Sequence, residues 1–277
     1  MDLSILRDTP PWEWPGEADE IILGVLRDDR AEESERLLAA ELAGDLTVMN
    51  EALAEALVSV ASAGDQAEAL RCRAVISLGP VLEYADTDGF DDPDEMPISE
   101  ATFHRIQESL CKLYLDTGLA KKLRRRILEA AVRAPQDWHP EAVRAAYSLE
   151  DELWKLTAVF CMRFVRGFDR QIIEALESRN LDIHYQAVRA AGAWGLEDAS
   201  SHVSRLIRSK DTDKPLLLAA IEAIASIQPR EAAVVLYDLM DSRDEDISEA
   251  VHEALSMADF LEESEDWDPD EDDDFLR

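Results

Sequence analysis

Five histidines (His104, His139, His184, His202 and His252) and three cysteines (Cys72, Cys111 and Cys161) are this chain's candidates for metal ligation or for nucleophilic and base chemistry near neutral pH. No two histidines stand in an HxxxH or HExxH arrangement, the spacing that sets two ring nitrogens on one helical face. The cysteines are odd in number, far apart and without a CxxC, so they read as small buried hydrophobes of a reducing compartment. There is no GxSxG nucleophile elbow and no glycine-rich phosphate loop. With 61 acidic residues in 277, any single pair of carboxylates is uninformative. The expectation is a protein that is not an enzyme, with no catalytic residues, no metal and no cofactor.

Charge is the more informative chemistry. The formal net charge is −33, and residues 259–277 hold eleven acids and one Arg, leaving −23 on the body. Such a field repels nucleic acid and anionic membrane surfaces and attracts a basic protein partner; solubility, or a salt-rich cytosol, is the plainer reading. Within that body lies one dense basic run, AKKLRRRILEAAVR, with Lys121, Lys122, Arg124, Arg125 and Arg126. It is either a solvated helix face paired with nearby acids or a docking site for an acidic segment, this chain's own tail among them. The tail ends EESEDWDPDEDDDFLR and is expected to be disordered, because it buries too little apolar surface to offset its ordering entropy. Trp267 and Phe275 within it suit a short segment that binds a basic, apolar groove. The loop ADTDGFDDPDEMP contains Asp86-x-Asp88-Gly89, but the remaining ligands are misplaced for a calcium loop, so it reads as a solvated acidic loop. No apolar run nears the ~18 residues of a membrane span, and the start lacks a secretory signal pattern, so the expected compartment is the cytoplasm.

Positioning these residues falls to short helices. Apolar residues make up 47% of the chain and aromatics 6%, a composition dominated by aliphatic helix formers. Ala187-Val188, Ala219-Ala220 and Ala250-Val251 recur at spacings of 32 and 31, and Ala158-Val159 lies 29 residues before the first. Between them FDRQIIEALES, DASSHVSRLIRS and PREAAVVLYDLM supply a first helix for each unit. Two helices in ~30 residues is the signature of an α-solenoid. Asp213 reads as an N-cap, Pro229 as a first-turn proline, and Asp65-Gln-Ala-Glu68 as a capping box. In the front half the pattern predicts helices at about 17–28, 31–43, 47–62, 65–84, 98–116, 118–134, 139–148 and 150–166. PPWEWP at 10–15 places Trp12 and Trp14 over the open end of the first pair. The expected organisation is a cap segment over 1–16, a solenoid over 17–260 and a disordered acidic tail over 261–277. The solenoid is regular over about 150–258 and has an acidic loop at 85–97. The fold class is all-α, an α-α superhelix of about six to seven antiparallel pairs in one array.

The pattern D-x-x-x-x-A-V-R-A-A with a second helix resembles the HEAT repeat, especially the short bacterial kind of the phycobilisome-lyase-like proteins. Asp182, Ala187, Val188 and Ala191 carry it in one unit, and Glu245, Ile247, Ala250, Val251, Ala254 and Leu255 in another. Gly192 and Trp194 depart from it and suggest a locally wider packing site. The di-iron hydroxylases built on such repeats use several His-Glu dipeptides, whereas this chain has only His252-Glu253. HEAT-like DNA glycosylases need a cationic groove, which an anionic chain does not offer. The function expected is a non-catalytic scaffold or adaptor whose solenoid surface grips a protein partner, a basic one by charge. The alternatives are an accessory factor for cofactor attachment or protein maturation, and an acidic nucleic-acid mimic that inhibits a basic nuclease. The oligomeric state is left open.

Overall fold

The computed structural model describes residues 3–92 and 95–265. Among them are sixteen α-helices and no strand. The helices gather into two compact units, Met1–Ala142 and Val143–Arg277, where the sequence suggested one array.

In the first unit α1 (Leu3–Arg7) packs on α2 (Ala18–Arg27) and α3 (Glu33–Leu42). The pair α2/α3 is followed by α4 (Glu51–Ser62) with α5 (Glu68–Ser77), and by α7 (Glu100–Leu115) with α8 (Lys121–Ala131). Helices α2, α4 and α7 form one layer, and α3, α5 and α8 the other. The helix expected over 65–84 is two helices, because α6 (Gly79–Asp88) starts afresh after Leu78 and packs on α8. Pro80 explains the break: it has no N–H to continue the ladder, and its ring clashes with the carbonyl four residues back. The expected capping box at Asp65 is absent, since α5 begins at Glu68 with Ala67 as its cap. The box occurs instead at α3, where Glu32 and Glu35 satisfy each other's backbone N–H. At the chain start Leu3 and Leu6 are buried, and the Trp14 indole donates to the carbonyls of Leu6 and Thr9 at 2.8 and 2.9 Å. Trp12 is 80% exposed, so the expected tryptophan cover is Trp14 alone.

Helix α9 (His139–Tyr147) spans the boundary residues of the two units. The second unit then runs α10 (Glu152–Cys161), α11 (Asp169–Ala175), α12 (Leu181–Ala193), α13 (Ser200–Arg208), α14 (Lys214–Ile227), α15 (Pro229–Leu236) and α16 (Glu245–Glu265). The pairs α11/α12, α13/α14 and α15/α16 match the repeat read from the alanines, and α10, α12, α14 and α16 stack one on the next. The acidic tail expected from 261 starts inside α16, which continues to Glu265.

A ladder of caps fixes the ends of the stacked helices. Asp151, Asn180 and Asp213 each accept from the first-turn N–H groups of their helix, and Asp244 does so from Asp246 and Ile247 at the start of α16. Asp182, which the repeat pattern emphasised, sits inside the first turn, where its own N–H donates to the Asn180 side chain at 3.0 Å; it is not the cap itself. Along the stack the small residues meet: Ala187, Ala190, Ala191, Ala220 and Ala225 are fully buried. At Gly192 the backbones of α12 and α14 approach closely, since a Cβ there would lie 2.8 Å from the Cα of Ala223. The wider site expected at Gly192 is thus a narrow one. The Trp194 ring leaves the seam, donating from Nε1 to the Met162 carbonyl at 2.7 Å, with Arg166 stacked 4.3 Å from its centroid.

Candidate functional site

The stacked helices of the second unit enclose a groove of about 770 Å³ between α12, α14 and α16. Its floor follows from the repeat: Leu218 and Ala219 from α14 and Ala250, Ala254 and Met257 from α16 are the apolar positions next to the alanine stripe. Its rim carries Glu222, Asp246, Glu249 and Glu253. Two cations share the groove. Lys214 is committed, 2.7 Å from Asp244 and 2.6 Å from Asp246, and Arg189 lies 5.9 Å from the centroid of the Tyr185 ring. Among the described residues, Glu222, Glu249 and Glu253 have no cation partner. Three unneutralised carboxylates over a strip of aliphatic surface favour a ligand that is both cationic and apolar.

A second cluster lies in the same unit, where α12, α13 and the turn before α12 meet. The Nε2 atoms of His184 and His202 stand 2.8 Å apart, with the rings edge to face. The Nδ1 of His202 is 3.2 Å from Glu177 Oε1 and 2.9 Å from Arg205 Nη2. Burial holds both imidazoles below the usual histidine range; the neighbouring His202 adds to this for His184 and Arg205 for His202, against the pull of Glu177. Sequence spacing hid this contact, because the two histidines are 18 residues apart on different helices. Pairing α12 with its neighbours in the repeat was the only signal. No group of three or more His, Cys, Asp or Glu among the described residues is placed to hold a metal.

The basic run is dispersed around α8. Lys121 and Lys122 are exposed, while Arg125 is buried. Arg124 donates to the Tyr114 carbonyl at 2.9 Å and lies over the same residue's ring, and Arg126 pairs with Glu129. The fully exposed cations of this run are its first two lysines, and Arg124 and Arg126 are half-buried. Trp267 and Phe275 lie outside the described residues. His139, one of the scattered histidines, is fully buried: its Nδ1 accepts the Gln136 N–H at 2.8 Å and its Nε2 has no partner. Burial drives its pKa down to about 4, so it is a neutral structural ring. No helix among the described residues is long and apolar enough to cross a membrane.

No protein-family model matches the sequence, and no curated protein matches it significantly. Solved structures of similar arrangement include human deoxyhypusine hydroxylase in complex with glycerol, at 16% identity over 93% of this chain and 88% of that one, TM-score 0.41. The YibA protein of E. coli is 14% identical over 84% of this chain and 80% of that one, TM-score 0.47. The complex of CpcE and CpcF of phycocyanin lyase from Nostoc sp. PCC7120 is 15% identical over 92% of this chain and 98% of that one, TM-score 0.47. The fold rests on this chain's own geometry: its paired helices, cap ladder and alanine seam make it an all-α protein of the α-α superhelix class.

Proposed function

We propose that this protein is a non-catalytic interaction module whose groove between α12, α14 and α16 grips a basic segment of a protein partner. The observation that carries the reading is the set of Glu222, Glu249 and Glu253 carboxylates, free of cation partners among the described residues, above the aliphatic floor. An arginine or lysine of the partner neutralises the rim while an aliphatic side chain covers Leu218 and Met257. Repeat solenoids present their stacked helices to partners in this way. The acidic field of the body steers a basic partner to the groove, which acts chiefly on the association rate.

The test compares the native protein with a triple variant, Glu222→Lys, Glu249→Lys and Glu253→Lys. A control triple reverses Glu13, Glu20 and Glu108, which are exposed in the first unit. Partners are captured from the host, identified by mass spectrometry and then measured kinetically as purified proteins. The groove variant is expected to lose the partner that the control retains. Association by the native protein should slow as the Debye length falls from ~10 Å at 0.1 M salt to ~3 Å at 1 M. Equal retention by both triples rejects the groove as the interface.

A further inference from the structure

The walls of the groove between α12, α14 and α16 restrict the shape of chain that fits it. Near one end Lys214 Nζ lies 2.6 Å from Asp246, and near the other the Ser226 hydroxyl donates to Met257 Sδ at 3.7 Å. The second tie lies 226 − 214 = 12 residues along α14 and 257 − 246 = 11 along α16, so these two helices run parallel and side by side. Lining residues recur turn by turn along that length, Leu218 and Glu222 on α14 and Ala250, Ala254 and Met257 on α16. At 1.5 Å per residue the trough is about 16 Å long, three turns of helix.

We propose that the basic segment held in this groove is an amphipathic helix of about three turns, an inference that rests on the groove being the interface. Its apolar face lies on Leu218, Ala250, Ala254 and Met257. Its edge over α16 carries two Arg or Lys residues at i and i+4, and its other edge carries one for Glu222. The spacing follows from the acids. Glu249 and Glu253 stand at i and i+4 on α16, about 5–6 Å apart, and cations at i and i+4 of a second helix share the same rise and stay level with them. Glu222 stands 31 residues before Glu253, the spacing that also relates Ala219 to Ala250, so it sits at the same height on the neighbouring helix, ~8–10 Å across. The α12 wall carries Arg189, which disfavours a second row of cations on that side.

Backbone chemistry selects a helix over an extended chain. An extended segment brings an N–H and a C=O per residue over the aliphatic floor, and each needs a partner there. None of the residues lining the groove lies in a strand, and none is Asn or Gln, the side chains that both donate to and accept from a peptide group. The rim carboxylates accept only, and Lys214 is already engaged by Asp244 and Asp246. A helix arrives with its backbone bonded internally, and the small side chains of Ala219, Ala250 and Ala254 let it come close.

The probe is a synthetic, end-capped peptide of about 15 residues of Leu, Lys and Ala, with Leu at i, i+3, i+4 and i+7 and Lys on the two edges as above. A second peptide has two central Ala residues replaced by Pro, which breaks the helix and keeps every Leu and Lys. Calorimetry at 0.15 M salt measures both against the full chain, the groove triple (Glu222→Lys, Glu249→Lys and Glu253→Lys) and the control triple (Glu13→Lys, Glu20→Lys and Glu108→Lys). The two triples have the same net charge, so they share the bulk attraction for a cationic peptide. The helical peptide is expected to bind the full chain and the control triple at least tenfold more tightly than the groove triple. The proline peptide is expected to bind the full chain at least tenfold more weakly than the helical one. If the proline peptide binds the full chain as tightly and is lost only in the groove triple, the groove stands and the helix is overturned. No binding of the helical peptide to the full chain also overturns the helix, and the groove is then judged by its captured partner. Equal binding of both peptides to both triples overturns helix and groove together.

Discussion

His139 gives the chain an acid-labile point whose size can be worked out. The ring is wholly buried and its pKa in the fold is about 4, against 6.5 for an ordinary histidine. The unfolded chain therefore binds a proton between pH 6.5 and 4 that the folded chain refuses, so stability falls as the pH falls through that window. The neutral ring's contribution is complete above 6.5. At 1.36 kcal/mol per pKa unit the whole window is worth up to about 3 kcal/mol, and stopping at pH 4.5 costs about 2–3 kcal/mol. The perturbation is His139→Phe, which keeps a ring beside Trp138, whose centroid lies 3.8 Å away, but cannot titrate. It strands the Gln136 N–H, at a cost on the order of 1–3 kcal/mol that does not vary with pH. Urea unfolding followed by tryptophan fluorescence at pH 7 and 4.5 measures both proteins. The wild type should lose about 2–3 kcal/mol more than the variant over this range. Parallel losses within ~0.5 kcal/mol would refute the reasoning, since carboxylate titration, common to both, would then account for all of the acid sensitivity.

Other expectations concern the helix seams and caps. Gly192→Ala should destabilise by ~1–3 kcal/mol because its Cβ meets Ala223 backbone, whereas Gly24→Ala, in a helix with nothing within 4 Å, should stabilise by ~0.5–1 kcal/mol; thermal unfolding of the two variants separates them. Ala191→Leu should cost ~1–3 kcal/mol at its fully buried contact while Glu197→Gln, exposed, stays neutral by denaturant titration. Asn180→Ala should lose ~1 kcal/mol through the cap it gives Asp182 and Ile183, and Asp182→Ala less, as judged by midpoint shifts.

The sequence made the pairing of helices legible because small residues recur at a period that only stacked pairs need. Ala187, Ala219 and Ala250 did land on the stacked helices. Local rules also held where one residue decides, as at Asp213 and Pro229. They failed where tertiary geometry decides. The helical pattern of 65–84 continued through Pro80, but the backbone did not. Gly192 looked like a missing side chain and is instead a point of close backbone approach between α12 and α14. The groove's carboxylates were invisible among 61 acids, since only the register of three helices selects Glu222, Glu249 and Glu253. The histidine contact was hidden for the same reason: its distance in sequence says nothing about two helices that meet at their ends.

The Gly192–Ala223 seam bears on how a chain of look-alike units finds its order. Near-identical repeats risk docking a unit against the wrong neighbour, a characteristic failure of repeat proteins during folding. At a repeat spacing of 32, the α14 residue in the place of Gly192 is Ile224, itself fully buried. If α14 took the place of α12 in the stack, it would bring a branched side chain to a surface that admits no Cβ. The seam thus works as a key cut for one lock. It makes two of the units non-interchangeable, so the order of the stack is written into its shape as well as its connectivity.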